Sequence, residues 1–146
     1  KVDADGNGWD DLVFTTRLTG DPIYQRDRFF LLVYSRTDAF LYIDQQGSSP
    51  VLDQDDPIHF KAAPGYNWYE VNEVELAVKQ IPLTGPAYWT GYWANARHKF
   101  LAFSLRRQGR FYQGWVELSI DTLKGEILLH RAGSSIRPDS DIQAGN

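Results

Sequence analysis

The feature that most constrains the fold of this chain is the recurrence of short segments in which apolar and polar residues alternate. Alternation with a period of two runs through residues 11–18, 99–106 and 110–120. This is the period of a β-strand with one face buried. Turn-forming residues such as those at 19–22 and 108–109 separate these segments. The sequence therefore predicts a fold built from short antiparallel strands.

Other segments extend this pattern. We expect residues 29–34 and 39–43 to form a hairpin, and residues 58–62 and 126–130 to be short strands. Residues 66–80 are ambiguous, because their valines fit the spacing of a helix as well as that of a strand, and we favour a strand.

Apart from this ambiguous segment, no part of the 146 residues predicts a helix. About nine short strands at this spacing predict an antiparallel β-sandwich or jelly roll. We expect residues 1–146 to form one domain with a polar tail from about residue 133.

Composition excludes several classes of function. The net charge is −4 and basic residues do not cluster, which argues against a nucleic-acid surface. The chain has no cysteine, so it has neither disulfides nor thiolate chemistry. No apolar run approaches the roughly 20 residues of a transmembrane helix. Because the chain also lacks methionine, we expect that a leader or lipid anchor precedes it in the full-length product.

The first dozen residues predict a calcium site. Carboxylate and amide side chains stand two positions apart, Gly8 allows a sharp turn, and another aspartate follows before the first strand. Calcium binds oxygen ligands of this kind. The predicted ligands are the side chains of Asp3, Asp5, Asn7 and Asp11 and the carbonyl of Trp9.

The segment Asp3-x-Asp5-x-Asn7-Gly8-x-x-Asp11-Leu12-Val13-Phe14 resembles the integrin-type (FG-GAP) calcium loop, which leads directly into a strand. The resemblance implies the same ligand set. An EF-hand is a poorer match, because Phe14 stands where that loop has a bidentate glutamate. Having fewer charged ligands than an intracellular buffer site, the loop should bind calcium with a Kd of about 10⁻⁴ to 10⁻³ M, as extracellular modules do.

A second resemblance covers about three quarters of the chain. Its motifs are Lys99-Phe100-Leu101-Ala102-Phe103, Tyr112-x-Gly114-Trp115-Val116-x-Leu118 and Gly125-Glu126-Ile127. This order is similar to that in uncharacterised β-sandwich domains of bacterial secreted proteins and lipoproteins. The chain departs from their pattern at Ala102 and by the insertion of Gln113. The resemblance implies a sandwich fold and a secreted or outer cell-surface location, and it carries no catalytic residues.

The densest aromatic segment, residues 88–93, is a candidate ligand site. Alternation places Trp89 and Trp93 on one face and Tyr88 and Tyr92 on the other, and only one face can enter the core. We predict that the tryptophan pair is exposed and forms a platform for sugar rings. The competing interpretation is that the large aromatic residues fill the core.

Catalytic patterns are weak. Glu73 and Glu75 share one strand face, as a glycosidase acid and nucleophile might, although a solvated acidic face is the commoner reason for such a pair. The three histidines, His59, His98 and His130, have no serine or acid partner nearby in sequence, and we expect His98 and His130 to be surface residues or satisfied partners and not metal ligands. The carboxylates of residues 53–56 are a weaker candidate for a second calcium site.

Together these patterns predict an exported β-sandwich domain that is stabilised by one calcium ion and has a non-enzymatic binding or structural role, with a glycan or a surface protein as partner. A carbohydrate-binding module that uses exposed Trp or Tyr is the first alternative. A glycoside-active jelly-roll enzyme is the second.

Overall fold

The computed structural model describes residues 1–4, 6 and 10–146. All of the regular structure in these ranges is β. The strands are β1 (Leu12–Asp21), β2 (Arg26–Ser35), β3 (Ala39–Asp44), β4 (Pro57–Ile58), β5 (Tyr66–Glu70), β6 (Glu73–Pro82), β7 (Tyr88–Thr90), β8 (Lys99–Arg107), β9 (Arg110–Asp121), β10 (Glu126–Ser134) and β11 (Ile142–Gln143).

Two antiparallel sheets enclose a common core. A four-stranded sheet has the order β1-β2-β6-β7, and a five-stranded sheet has the order β10-β9-β8-β3-β5. Alternate residues of both sheets point inward, so that Leu31 and Leu76 of the first sheet share one buried cluster with Leu101 and Leu118 of the second. The predicted all-β fold is confirmed, and the arrangement is compatible with a single-domain β-sandwich.

A small third layer covers the outer face of the five-stranded sheet. Strands β4 and β11 pair with each other there, over a second buried cluster that contains Phe100, Trp115 and Ala144. The indole Nε1 of Trp115 donates a hydrogen bond of 3.3 Å to the carbonyl of Asn146. The last residues therefore pack against the sheet, where the sequence had predicted a polar tail.

The predicted hairpin of residues 29–34 and 39–43 is wrong. Strand β2 pairs with β1 along one edge and with β6 along the other, so it has no free edge for β3. The chain turns at residues 36–38 and crosses to the opposite sheet, where β3 pairs with β5 and β8.

The strand interpretation of residues 66–80 is confirmed, but two strands occupy this segment. Val71 has a φ of 50°, a left-handed conformation that interrupts the strand. The chain crosses between sheets at this break, from β5 in the five-stranded sheet to β6 in the four-stranded sheet. In the ranges that the structure describes, no helix is long and apolar enough to cross a membrane.

Candidate functional site

A groove of about 430 Å³ lies against the outer face of the four-stranded sheet, between strands β6 and β7 and the turn that follows β3. Most of its walls are polar, and one aromatic ring stands among them. The lining side chains that carry polar atoms are Gln46, Ser48, Glu73, Glu75, Thr90 and Tyr92.

The alternation of β6 directs both glutamates outward. Val74 and Leu76 are buried in the core, so Glu73 and Glu75 face solvent on the other side of the strand. Thr90 of β7 pairs with Val78 of β6 and lies on this same outer face. The sheet thus brings to one groove two carboxylates of β6 and a hydroxyl of β7.

Gly91 lets the chain turn closely over β6. Its φ is 107°, and a Cβ at this position would lie 2.8 Å from the carbonyl oxygen of Leu76. That same carbonyl accepts a hydrogen bond of 3.1 Å from the backbone N–H of Trp93. This close approach fixes the backbone on both sides of Tyr92 and sets its ring at the groove.

The predicted exposure of the tryptophan pair is wrong. The Trp93 side chain is fully buried, and its Nε1 donates a hydrogen bond of 3.0 Å to the carbonyl of Ser49. Trp89 is half-buried and packs against the core. The exposed aromatic residues of this segment are Tyr88 and Tyr92, each 52% accessible. The sequence predicted the alternation correctly, but the opposite face is the exposed one.

The turn at one side of the groove is held in place before any ligand arrives. Asp44 Oδ1 accepts hydrogen bonds from the backbone N–H groups of Gln46, at 2.9 Å, and Ser48, at 3.0 Å. The hydroxyl of Tyr92 donates to Gln46 Oε1. Partial desolvation, followed by the nearby Asp44 carboxylate, raises the pKa of Tyr92, so the phenol stays neutral at physiological pH.

Two of the polar side chains that line the groove have no hydrogen-bond partner among the described residues, while the other four are engaged within the chain. Glu73 Oε1 lies 3.1 Å from Arg17 Nη1, in an exposed ion pair. In the described part of the chain, by contrast, no hydrogen bond or ion pair engages the carboxylate of Glu75 or the hydroxyl of Ser48. These groups face water and can exchange it for the hydroxyl groups of a ligand.

A second concentration of polar side chains lies on the outer face of β9 and β10. We call Glu117, Ser119, His98, His130 and Arg131 the imidazole cluster. The buried carboxylate of Glu117 bonds His98 Nδ1 through one oxygen, at 2.6 Å, and Arg131 Nε through the other, also at 2.6 Å. The hydrogen bond from His98 lowers the pKa of Glu117, burial opposes this shift, and Arg131 reinforces it.

Ser119 completes the imidazole cluster. Its Oγ accepts a hydrogen bond of 2.9 Å from the backbone N–H of His98 and lies 2.8 Å from His130 Nε2. The two imidazole rings stack with their centroids 4.0 Å apart. A β-bulge between Leu129 and Arg131 makes this contact, because His130 is the extra residue of β10.

The partners of Glu117 and Ser119 were not predicted from the sequence. The one available signal is the pair of polar residues, Glu117 and Ser119, within the otherwise apolar residues 114–120. Finding their partners requires the register of β10 and its bulge. The remaining histidine also has a partner, since His59 Nδ1 lies 3.3 Å from Asp141 Oδ2.

The ends of the predicted calcium loop are held together. Val2 and Leu12 form an antiparallel bridge, and the Val2 carbonyl also accepts a hydrogen bond of 2.7 Å from the Asp11 N–H. Asp11 Oδ2 accepts a hydrogen bond of 2.8 Å from the Ala4 N–H, and Asp3 Oδ1 accepts one of 2.9 Å from the Gly6 N–H.

Three of the predicted calcium ligands, Asp5, Asn7 and Trp9, lie outside the described residues. Within the described ranges, no group of three or more His, Asp or Glu side chains is arranged to hold a metal ion. The calcium loop therefore stays a prediction.

The carboxylates of residues 53–56 have other partners. Asp56 Oδ2 accepts a hydrogen bond of 2.7 Å from the Asp53 N–H, and Asp55 Oδ1 accepts one of 2.6 Å from Asn146 Nδ2. Asp53 forms an ion pair with Lys99. These contacts hold the segment against the chain end and β8.

Comparison of the chain with protein-family models, with curated proteins and with solved structures finds no match. Function is therefore inferred from the groove, the imidazole cluster and the N-terminal loop themselves.

Proposed function

We propose that this chain is a non-enzymatic binding domain of an exported protein, stabilised by one calcium ion, and that the groove at Tyr92 binds a neutral glycan. The observation that carries the proposal is the exposed phenol of Tyr92 beside the carboxylate of Glu75, which has no partner among the residues that the structure describes. Export is supported by the resemblance to secreted sandwich domains.

The groove has the two kinds of contact that a sugar ring requires. A pyranose presents an apolar C–H face, which packs on an aromatic ring such as that of Tyr92. Its hydroxyl groups need acceptors and donors at the edge of that ring, and Glu75, Ser48 and Gln46 supply them. Because Asp44 and Gly91 already fix the surrounding backbone, binding would require little ordering of the protein.

Charge favours a neutral glycan over an acidic one. Glu73 and Glu75 line the groove, and Asp44 lies close to Tyr92. Arg17 forms an ion pair with Glu73 and so offsets one of these negative charges. A sulfated or carboxylated sugar would meet uncompensated negative charge, which like-charge repulsion disfavours.

The test is a glycan array followed by calorimetry on the best neutral oligosaccharide. Tyr92→Ala should weaken binding at least about tenfold, a loss of about 1.4 kcal/mol. Tyr92→Phe keeps the ring and should retain most of the affinity. Tyr24→Ala is the matched control, since Tyr24 is exposed in the turn between β1 and β2. Absence of binding to any glycan, or equal losses for Tyr92→Ala and Tyr24→Ala, would contradict the proposal.

The glycoside-active alternative uses the same groove, with Glu73 and Glu75 as the acid and nucleophile. One assay separates the two. A binding domain leaves a bound oligosaccharide intact over days, whereas an enzyme cleaves it and loses this activity on Glu75→Gln.

The calcium proposal is supported by the Val2–Leu12 bridge, which brings the two ends of the loop together. An ion that binds only the folded chain stabilises it by about 2.7 kcal/mol at a concentration of 100 times its Kd. The melting temperature should therefore rise with added Ca²⁺ and fall with a chelator. Asp5→Ala should abolish the response. An identical melting temperature with and without Ca²⁺ would contradict the proposed calcium site.

A further inference from the structure

A row of four side chains crosses the outer face of the four-stranded sheet beside the groove. Arg28 of β2 pairs with Thr19 of β1 on one side and with Gln80 of β6 on the other. Tyr88 of β7 pairs with Gln80 and continues the row. Directly paired residues point to the same face of a sheet, and Phe29 packs against the core, so its neighbour Arg28 and the whole row face outward. We call these four residues the arginine row.

The guanidinium of Arg28 has no counter-charge in the part of the chain that the structure describes. It is half-buried and lies over the ring of Phe30, with Cζ 5.2 Å from the ring centroid. Its two Nη groups have no hydrogen bond or ion pair and reach the surface. The other arginines of this face, Arg17 and Arg26, each have a carboxylate partner. A positive charge partly withdrawn from water in this way favours an anionic ligand.

The arginine row also concentrates buried polar atoms that have no hydrogen-bond partner. Three of the five such atoms among the described residues belong to it, namely Thr19 Oγ1, Arg28 Nε and Gln80 Oε1. Atoms of this kind are uncommon in folded proteins, and several in one place point to a partner from outside the chain. Because the set includes a guanidinium donor and an amide acceptor, the partner must both accept and donate hydrogen bonds.

We propose that the arginine row is a second sugar subsite, which takes a unit that bears a carboxylate or sulfate group. The oxyanion would bind the Nη groups of Arg28. The hydroxyl groups of the same unit would bond Thr19 and Gln80 after a small turn of these side chains. The exposed ring of Tyr88 would pack against the C–H face of the sugar. The identity of the ligand as a glycan rests on the proposed function of the groove.

The arginine row and the groove are adjacent on one sheet face. Thr90 lines the groove, and its Oγ1 accepts a hydrogen bond of 3.3 Å from Gln80 Nε2. Thr90 pairs with the residue two positions before Gln80 on β6, a separation of about 7 Å. Glu73 and Glu75 favour neutral units in the groove, whereas Arg28 favours an acidic unit beyond them. One oligosaccharide with a single acidic unit at its end would match both.

An NMR titration with free glucuronate tests the arginine row without relying on the groove. The side-chain Nε–Hε signal of Arg28 should shift and saturate with glucuronate. It should shift much less with glucose, which lacks the carboxylate, and with acetate, which lacks the hydroxyl groups. A response to acetate equal to that with glucuronate, or an Arg28 signal that glucuronate does not shift, overturns the proposal.

Substitutions locate the response. The shift of the Gln80 side-chain amide with glucuronate should disappear in Arg28→Gln and persist, although weaker, in Arg28→Lys, which keeps the charge. Arg137→Gln is the matched control and should leave the shift unchanged, because Arg137 is exposed and its guanidinium has no partner among the described residues. Far-UV circular dichroism shows that each variant folds. Equal responses of Arg28→Gln and Arg137→Gln overturn the proposal.

Calorimetry with two oligosaccharides that differ only in the acidic group of the end unit separates this inference from the proposed function. The acidic form should bind at least about tenfold more tightly than the neutral form, and Arg28→Gln should remove the difference. Tyr92→Ala should weaken both forms. A difference that is absent, or that survives Arg28→Gln, overturns the second subsite and leaves the groove standing. Binding of glucuronate at Arg28 without glycan binding in the groove supports the subsite and contradicts the proposed function.

Discussion

The groove and the imidazole cluster both gather polar side chains on the outer face of a sheet, but they differ in how these groups are used. In the imidazole cluster both oxygens of Glu117 accept hydrogen bonds, and Ser119 bonds two groups at once. In the groove the carboxylate of Glu75 has no partner within the described residues.

This difference distinguishes polar groups that stabilise the fold from polar groups that could bind a ligand. Groups that satisfy one another hold backbone in place, and here they fix the bulge of β10 and His98, whose φ is 49°. Groups that face water on a rigid frame are available to a ligand. A cluster of polar and titratable side chains is therefore weaker evidence for a binding site than side chains whose hydrogen-bonding groups have no partner in the protein.

The largest effect is expected at the backbone of the groove. Gly91→Ala should destabilise the chain by about 3 kcal/mol, combining the strain of a left-handed residue with the clash against Leu76. Gly85→Ala isolates the first of these terms, because Gly85 also has a positive φ but open space around it. Urea unfolding measures both. Equal losses would mean that the close approach to β6 contributes nothing.

Substituting Glu117 and Glu75 separately by glutamine tests the difference between the imidazole cluster and the groove. Glu117→Gln removes the charge that two donors share and should cost about 2 kcal/mol in urea unfolding. Glu75→Gln should change stability by less than about 0.5 kcal/mol and should instead weaken glycan binding. A Glu75→Gln variant that is destabilised as much as Glu117→Gln would contradict the distinction.

How much the sequence could predict follows from the range of each interaction. Alternation is local, so residues 110–120 were correctly predicted as a strand, and Trp89 and Tyr92 were correctly placed on opposite faces. Which face enters the core depends on the neighbouring turn, since Ser49 provides the partner of the buried Trp93. Local alternation carries no information about that contact.

The partner of β2 was mispredicted for a similar reason. Residues 29–34 and 39–43 have equally good strand patterns, and a short connection between such strands usually forms a hairpin. The structure instead pairs β2 with β6, which lies much further along the chain; Phe30, for instance, pairs with Val78, 48 positions away. Long-range pairing of this kind is decided by the packing of the whole core, which no window of sequence contains.

Acidification should remove the contribution of Glu117 to stability. The hydrogen bond from His98 is the main cause that lowers the folded-state pKa of Glu117 below its ordinary value of 4.5. The ionised carboxylate thus stabilises the folded chain above that value, and the contribution is lost as pH falls through the folded-state pKa. The stability difference between wild type and Glu117→Gln should therefore shrink as the pH falls from about 5 toward 3. A difference independent of pH would contradict this.

A smaller effect is expected at Ser119. Ser119→Ala removes the acceptor of the His98 N–H and the partner of His130, and should cost about 1 kcal/mol. Ser48→Ala is the control in the groove, and thermal unfolding should be unchanged because the Ser48 hydroxyl has no partner among the described residues. A shift in Ser48→Ala as large as that in Ser119→Ala would show that the groove hydroxyl also has a structural role.

The most direct test of the account is an NMR titration of the labelled chain with the best neutral oligosaccharide. Chemical-shift changes should concentrate at Gln46, Glu75 and Tyr92, and they should leave His98 and His130 unaffected. Changes centred on the histidines, or saturating changes that bypass Tyr92 and Glu75, would contradict the claim that the unused polar groups of the groove form the binding site.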